Sequence, residues 1–87
     1  QNYPNPFIPV TQIKFDVPEN SGILSLSIYN VLGQKVSTLM SGHLNAGQYS
    51  FEWNATDMSG QSVASGIYFY ELKSPNFTAR KKMLLLR

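Results

Sequence analysis

The 87-residue chain contains no cysteine. Disulfide frameworks, thiolate metal sites and cysteine nucleophiles are therefore excluded, and a domain this small must hold together on a modest apolar core. Charge is sparse: Asp, Glu, Lys and Arg make up 14% of the residues, and there is a single histidine. No apolar run approaches the ~20 residues that a membrane-spanning helix needs. The opening Gln1-Asn2-Tyr3-Pro4 has neither the basic start nor the apolar stretch of a signal peptide. If the protein is exported, its export signal is expected upstream, in a longer chain. No stretch carries a helical apolar period of useful length, and no internal repeat is visible.

What the chain does have is apolar and aromatic material: 43% hydrophobic residues, with five Tyr, five Phe and one Trp. That composition belongs to a folded domain, and the length to one domain. Residues 1–10 carry Pro4, Pro6 and Pro9 with Asn2 and Asn5, an extended lead-in typical of a linker, in which Phe7 is placed to dock on the domain. From residue 11 onward, period-2 patterns dominate. Ile13, Phe15 and Val17 alternate with Lys14 and Asp16, and Pro18 stops the run. Leu24, Leu26 and Ile28 alternate with serines, and Tyr49, Phe51 and Trp53 alternate with Ser50 and Glu52. Each reads as a strand with one core face. Residues 66–73 are apolar on both faces in their first half, which predicts a central strand. Residues 77–86 form a final strand, and shorter strands are expected near 35–40 and 61–64. Turn chemistry lies between: Asn30 to Gly33, Asn45 to Gly47, Asp57 to Gly60, and the hairpin Ser74-Pro75-Asn76. About seven short strands point to an all-β antiparallel sandwich over residues 11–87.

No catalytic constellation emerges. His43 is expected in a turn with Ser41 and Gly42, without the orienting partner that a general base needs. Asp16, Glu19, Glu52 and Glu71 read as surface carboxylates rather than an acid–base pair. The Asn54–Gly60 loop offers oxygen atoms but one carboxylate, Asp57, too few for a calcium loop. Tyr49, Phe51 and Trp53 at alternate positions read as core rather than as an exposed sugar-binding strip. The chain is therefore expected to be no enzyme, and to take no cofactor, metal or small-molecule substrate.

The net charge of +2 is unevenly placed. Residues 1–79 hold Lys14, Lys35 and Lys73 against Asp16, Glu19, Glu52, Asp57 and Glu71, a net −2, whereas Arg80, Lys81, Lys82 and Arg87 contribute +4. The basicity belongs to one segment, not to a broad nucleic-acid-binding face. That segment then runs Met83-Leu84-Leu85-Leu86, and alternation cannot direct all four side chains into one core. Either Met83 and Leu85 point inward and Leu84 and Leu86 outward, or the reverse. Cations flanking a sticky strand serve as gatekeepers against aggregation. They also suit a recognition strand with an apolar stripe. The residues alone leave these two readings level.

Several motifs occur together in order. Asn2-Tyr3-Pro4-Asn5-Pro6-Phe7 and Ile13-Lys14-Phe15-Asp16-Val17-Pro18 are followed by Leu26-Ser27-Ile28-Tyr29-Asn30-Val31-Leu32-Gly33-Gln34-Lys35-Val36. Then come Gly47 to Trp53, Ala64-Ser65-Gly66-Ile67-Tyr68-Phe69-Tyr70 and Lys81-Lys82-Met83-Leu84-Leu85-Leu86-Arg87. This series resembles the C-terminal sorting domains of the type IX (Por) secretion system, and grades into the Ig-like domain of the flagellar hook-capping protein. Ile8 departs from the Asn usual in the sorting family before Pro9. The resemblance implies an Ig-like sandwich that targets an N-terminally fused cargo to the outer-membrane translocon, by way of the periplasm, for secretion or cell-surface display. A sortase-like peptidase would then remove the domain. The implied recognition residues are Lys81, Lys82, Met83, Leu84, Leu85, Leu86 and Arg87. Asn2, Pro4, Asn5, Pro6, Phe7, Tyr29, Gly33, Gly47, Trp53, Gly66 and Tyr68 match motif positions that are mainly structural. The other reading is an accessory Ig-like module, carbohydrate-binding or structural, of an extracellular enzyme or appendage.

Overall fold

The computed structural model describes residues 11–86. They form six strands: β1 Thr11–Val17, β2 Ile23–Tyr29, β3 Lys35–His43, β4 Gly47–Trp53, β5 Gly66–Lys73 and β6 Thr78–Leu85. β1 and β4 pair as a two-stranded sheet, and the other four pair in the order β3-β2-β5-β6. Every pairing is antiparallel. The expected all-β sandwich is therefore present, with six strands instead of about seven.

The strand expected near 61–64 is replaced by a single bridge between Thr56 and Ser62. The reason is topological. β4 and β5 belong to different sheets, so residues 54–65 must carry the chain across the sandwich and cannot extend a ladder. Asp57 tightens the crossing: its Oδ1 accepts from the Ser59 amide and hydroxyl at 3.0 and 2.8 Å and from the Gln61 amide at 3.0 Å. The segment expected at 35–40 runs on to His43 as β3. His43 thus ends a strand, opposite Ile23, rather than sitting in a turn.

The predicted alternations hold where they decide the core. Ile13 and Val17 of β1 are buried, as are Leu24, Leu26 and Ile28 of β2, Leu72 of β5 and Leu85 of β6. Burying one such side chain stabilises by about 1.5–3 kcal/mol, so these residues outweigh any surface interaction present. Trp53 joins the sheets. Its ring meets Tyr68 edge-on with centroids 5.2 Å apart, and its indole N–H donates to the Thr56 carbonyl at 2.9 Å. The Tyr68 hydroxyl donates to the Ala64 carbonyl at 2.7 Å, so both polar tips are partnered within a mostly apolar setting. Tyr49 and Phe51, placed on the same face as Trp53, are only half-buried and stack on Phe15. The two-stranded sheet is too narrow to enclose them fully.

Two edges of the four-stranded sheet differ. β3 carries two register shifts against β2, skipping Leu39 and Val36, and its Thr38 amide donates to the Met58 sulfur at 3.2 Å. Bulges and a covering loop are the ordinary protections of an edge. β6 has neither. Eight consecutive pairs, from Lys73↔Thr78 to Gly66↔Leu85, run without a shift.

Candidate functional site

The hairpin turn sets the geometry of β6. Pro75 and Asn76 occupy its tip, the Ser74 hydroxyl accepts from the Asn76 and Phe77 amides, and the Ser74 amide donates to the Phe77 carbonyl at 2.9 Å. The chain therefore folds back with Glu71 opposite Arg80, Phe69 opposite Lys82 and Ile67 opposite Leu84 on one face. Leu72 opposes Ala79, Tyr70 opposes Lys81 and Tyr68 opposes Met83 on the other.

Of the two alternatives left open for the apolar run, the structure takes the first. Leu85 is buried at 2% exposure and Met83 is half-buried, whereas Leu84 and Leu86 are 60% and 70% exposed. Register decides this, since Leu85 opposes Gly66 and Met83 opposes core Tyr68 on the inward face. Gly66 has φ of 151°, a conformation that a side chain rarely adopts. Exposed Leu84 is joined on the outer face by Ile67, itself 41% exposed, so the two form a small apolar pair open to solvent.

The cations divide into two kinds. Arg80 is engaged within the domain: its guanidinium lies 3.1 Å from the Glu71 carboxylate and over the rings of Tyr29 and Phe69 at 5.3 and 5.9 Å. The strand pattern alone did not reveal this cluster, although a turn centred on Pro75 and Asn76 already places Glu71 opposite Arg80. Lys81 and Lys82 have no ion-pair partner among the described residues and are exposed on opposite faces. Lys81, with Ala79, overlooks a groove of about 680 Å³ between the sheets, also lined by Phe15, Tyr49, Tyr70 and Leu72.

The remaining motif residues have structural surroundings. Tyr29 lies under Arg80. Gly33, with φ of 82°, closes the β2–β3 turn, where the Asn30 Oδ1 accepts from the Leu32 and Gln34 amides. Gly47 opens β4, and Trp53 and Tyr68 are core. Asn2, Pro4, Asn5, Pro6, Phe7 and Arg87 lie outside the described residues. The His43 imidazole reaches the Asn45 side-chain oxygen at 3.3 Å, on the surface. Asp57 is partly exposed, and the hydrogen bonds from Ser59 and Gln61 hold its carboxyl below the ordinary value. Among the described residues no three His, Asp or Glu side chains gather as a metal-binding group.

No match was found among curated proteins or among solved structures. Comparison with known families matches residues 9–76 to the FlgD Ig-like domain. The match runs from the lead-in through β5 and stops at the tip of the β5–β6 hairpin, so it covers the sandwich but not β6. With more than three quarters of its length matched and an antiparallel two-sheet fold, the chain belongs to the FlgD Ig-like domain family.

Proposed function

We propose that this Ig-like domain is a sorting module, which directs an N-terminally fused cargo to the type IX translocon and the cell surface, and that Lys81–Arg87 carry the recognition. In this reading the domain is the object of a sortase-like peptidase rather than a catalyst, and it is removed after translocation. The observation that supports it most is the division of labour along β6. Leu85 anchors the strand in the core, while Lys81, Lys82 and Leu84 face solvent with no partner that the fold requires. A purely structural strand has no use for that pattern beyond gatekeeping.

The test fuses the domain to a reporter carrying a periplasmic export signal, in a bacterium that has the type IX machinery. Deleting Lys81 to Arg87 is expected to leave the reporter in the periplasm. Because that deletion also removes Leu85 from the core, the triple variant Lys81→Ala, Lys82→Ala, Leu84→Ala is run beside it. It keeps the fold and is expected to be retained as well. Normal surface display of both variants would overturn the reading.

The family match favours one other reading, a structural Ig-like domain of a surface appendage. That reading predicts homo-oligomers of the 87-residue chain in sedimentation, where the sorting reading predicts a monomer.

A further inference from the structure

Alternation of hydrogen bonds along β6 identifies which backbone groups point away from the sheet. Ser74 and Phe77 form a hydrogen-bonded pair, since the Ser74 amide donates to the Phe77 carbonyl. In an antiparallel ladder, hydrogen-bonded and non-hydrogen-bonded pairs alternate, and the register here is unbroken. Ala79, Lys81, Met83 and Leu85 therefore bond back to β5. Arg80, Lys82 and Leu84 direct their N–H and C=O groups to the far side, where no strand lies among the described residues. A straight row of outward donors and acceptors is a template for one more strand.

We propose that β6 accepts an extended segment of a partner protein as an added strand, and that this segment is acidic where it passes Lys81 and Lys82 and apolar where it passes Met83 and Leu84. The proposal rests on the reading of Lys81–Arg87 as the recognition strand and states how the recognition is made. Main-chain bonds to Lys82 and Leu84 supply affinity. The two lysines, on opposite faces, select consecutive carboxylates, because neighbouring residues of the added strand also point to opposite faces. Apolar side chains then cover Leu84 and Ile67 on the outer face and Met83 on the inner one. The Arg80 side chain does not take part in the selection, being held by Glu71, and only its backbone joins the outward row.

Charge separates this occupant from two others. A second copy would set two cationic strands edge to edge, which like charges oppose. Residues 1–10 contain no charged residue and three prolines, each lacking the N–H that a ladder needs. An acidic, proline-free segment from another protein meets both requirements.

The experiment uses the 87-residue chain and two acetylated, amidated peptides, Thr-Val-Val-Val-Glu-Glu-Thr and its reversed sequence, which cover both strand directions. Amide exchange and chemical shifts are followed by NMR. In the free protein the amides of Arg80, Lys82 and Leu84 are expected to exchange fast, and in the complex one of the peptides slows them. Replacing both glutamates by lysine is expected to weaken binding at least tenfold. Leu84→Pro removes an outward N–H without touching the β5–β6 ladder, so it is expected to keep the fold and lose binding at least tenfold. Leu84→Ala controls for the lost side chain and keeps most of the binding.

Three results would overturn the proposal. One is slow exchange at these three amides before any peptide is added, which means that the edge is already occupied. Another is binding of either peptide that Leu84→Pro leaves intact. The third is binding to phosphatidylglycerol vesicles that competes with the peptide and ignores Leu84→Pro, which means that surface charge alone acts. The reporter experiment fails separately. If both reporter variants are displayed normally while the peptide result holds, the sorting role falls and the edge site stands. If the triple variant is retained while no peptide binds, sorting stands and strand addition falls.

Discussion

The Arg80 guanidinium and the Glu71 carboxylate face each other directly across the β5–β6 ladder, 3.1 Å apart, with two aromatic rings beneath the guanidinium. The pair is partly exposed, so it and the ring contacts together contribute about 1 kcal/mol. Arg80→Ala is expected to lower stability by that amount in urea denaturation and to leave surface display of a fused reporter unchanged. Lys81→Ala and Lys82→Ala are expected to do the opposite, with stability within about 0.5 kcal/mol of the parent and display reduced. If Arg80→Ala reduces display as much as the lysine variants, the division of the cations is wrong.

Adjacent leucines should behave differently. Leu85→Ala removes a fully enclosed side chain and is expected to cost about 2–5 kcal/mol. Leu84→Ala is expected to change stability by less than about 0.5 kcal/mol. Thermal or urea unfolding of the two variants reads the register of β6 directly, and a reversal of their order would mean that the strand is shifted by one residue.

Trp53 is the largest fully buried side chain and ties β4 to Tyr68 of β5. Trp53→Ala is expected to cost about 3–5 kcal/mol. A domain of this length has about 6 kcal/mol in total, on the order of 0.05–0.15 kcal/mol per residue, so the variant should retain only a small margin and melt at a much lower temperature by circular dichroism. Trp53→Phe keeps most of the apolar contact and loses the hydrogen bond to the Thr56 carbonyl, so it should fold with a lowered midpoint.

A pH effect is expected at the crossing between sheets. Asp57 has its carboxyl held below the ordinary value of 3.8, chiefly by the Ser59 side chain and then the Gln61 amide. Folding therefore favours the ionised form. That contribution is complete above the ordinary value and fades as pH falls through the lower folded value. Asp57→Asn keeps an acceptor but removes the charge. The stability gap between parent and variant should be present near neutral pH and close in acid, as read from urea midpoints across a pH series. A gap that widens in acid would contradict the assignment.

Much of this arrangement was legible before any coordinates. Period-2 patterning located β1, β2 and β4, since a strand with one buried face must alternate, and it reduced the Met83–Leu86 run to two alternatives, while β5 was legible from its apolar residues on both faces. Turn residues marked the hairpin at Pro75 and Asn76, and hence the partners across it. The pattern blurred where local rules compete with topology. The sequence pattern of β3 ends short and suggests a turn at His43, because two skipped residues break the alternation of an edge strand. Residues 61–64 have strand-like composition but lie where the chain must cross between sheets.

By itself, then, the sequence determined an all-β chain, the faces of its strands and the concentration of positive charge in its last residues, because alternation, turn chemistry and charge are local properties. Only the tertiary structure decided which leucines of β6 are core, that Arg80 is held by Glu71 while Lys81 and Lys82 are not, and that β6 keeps an unbroken register at the edge of its sheet, with no strand beyond it among the described residues. Those outcomes depend on which strand lies beside which, and pairing between distant segments is set by the packing of the whole core rather than by any one stretch of residues.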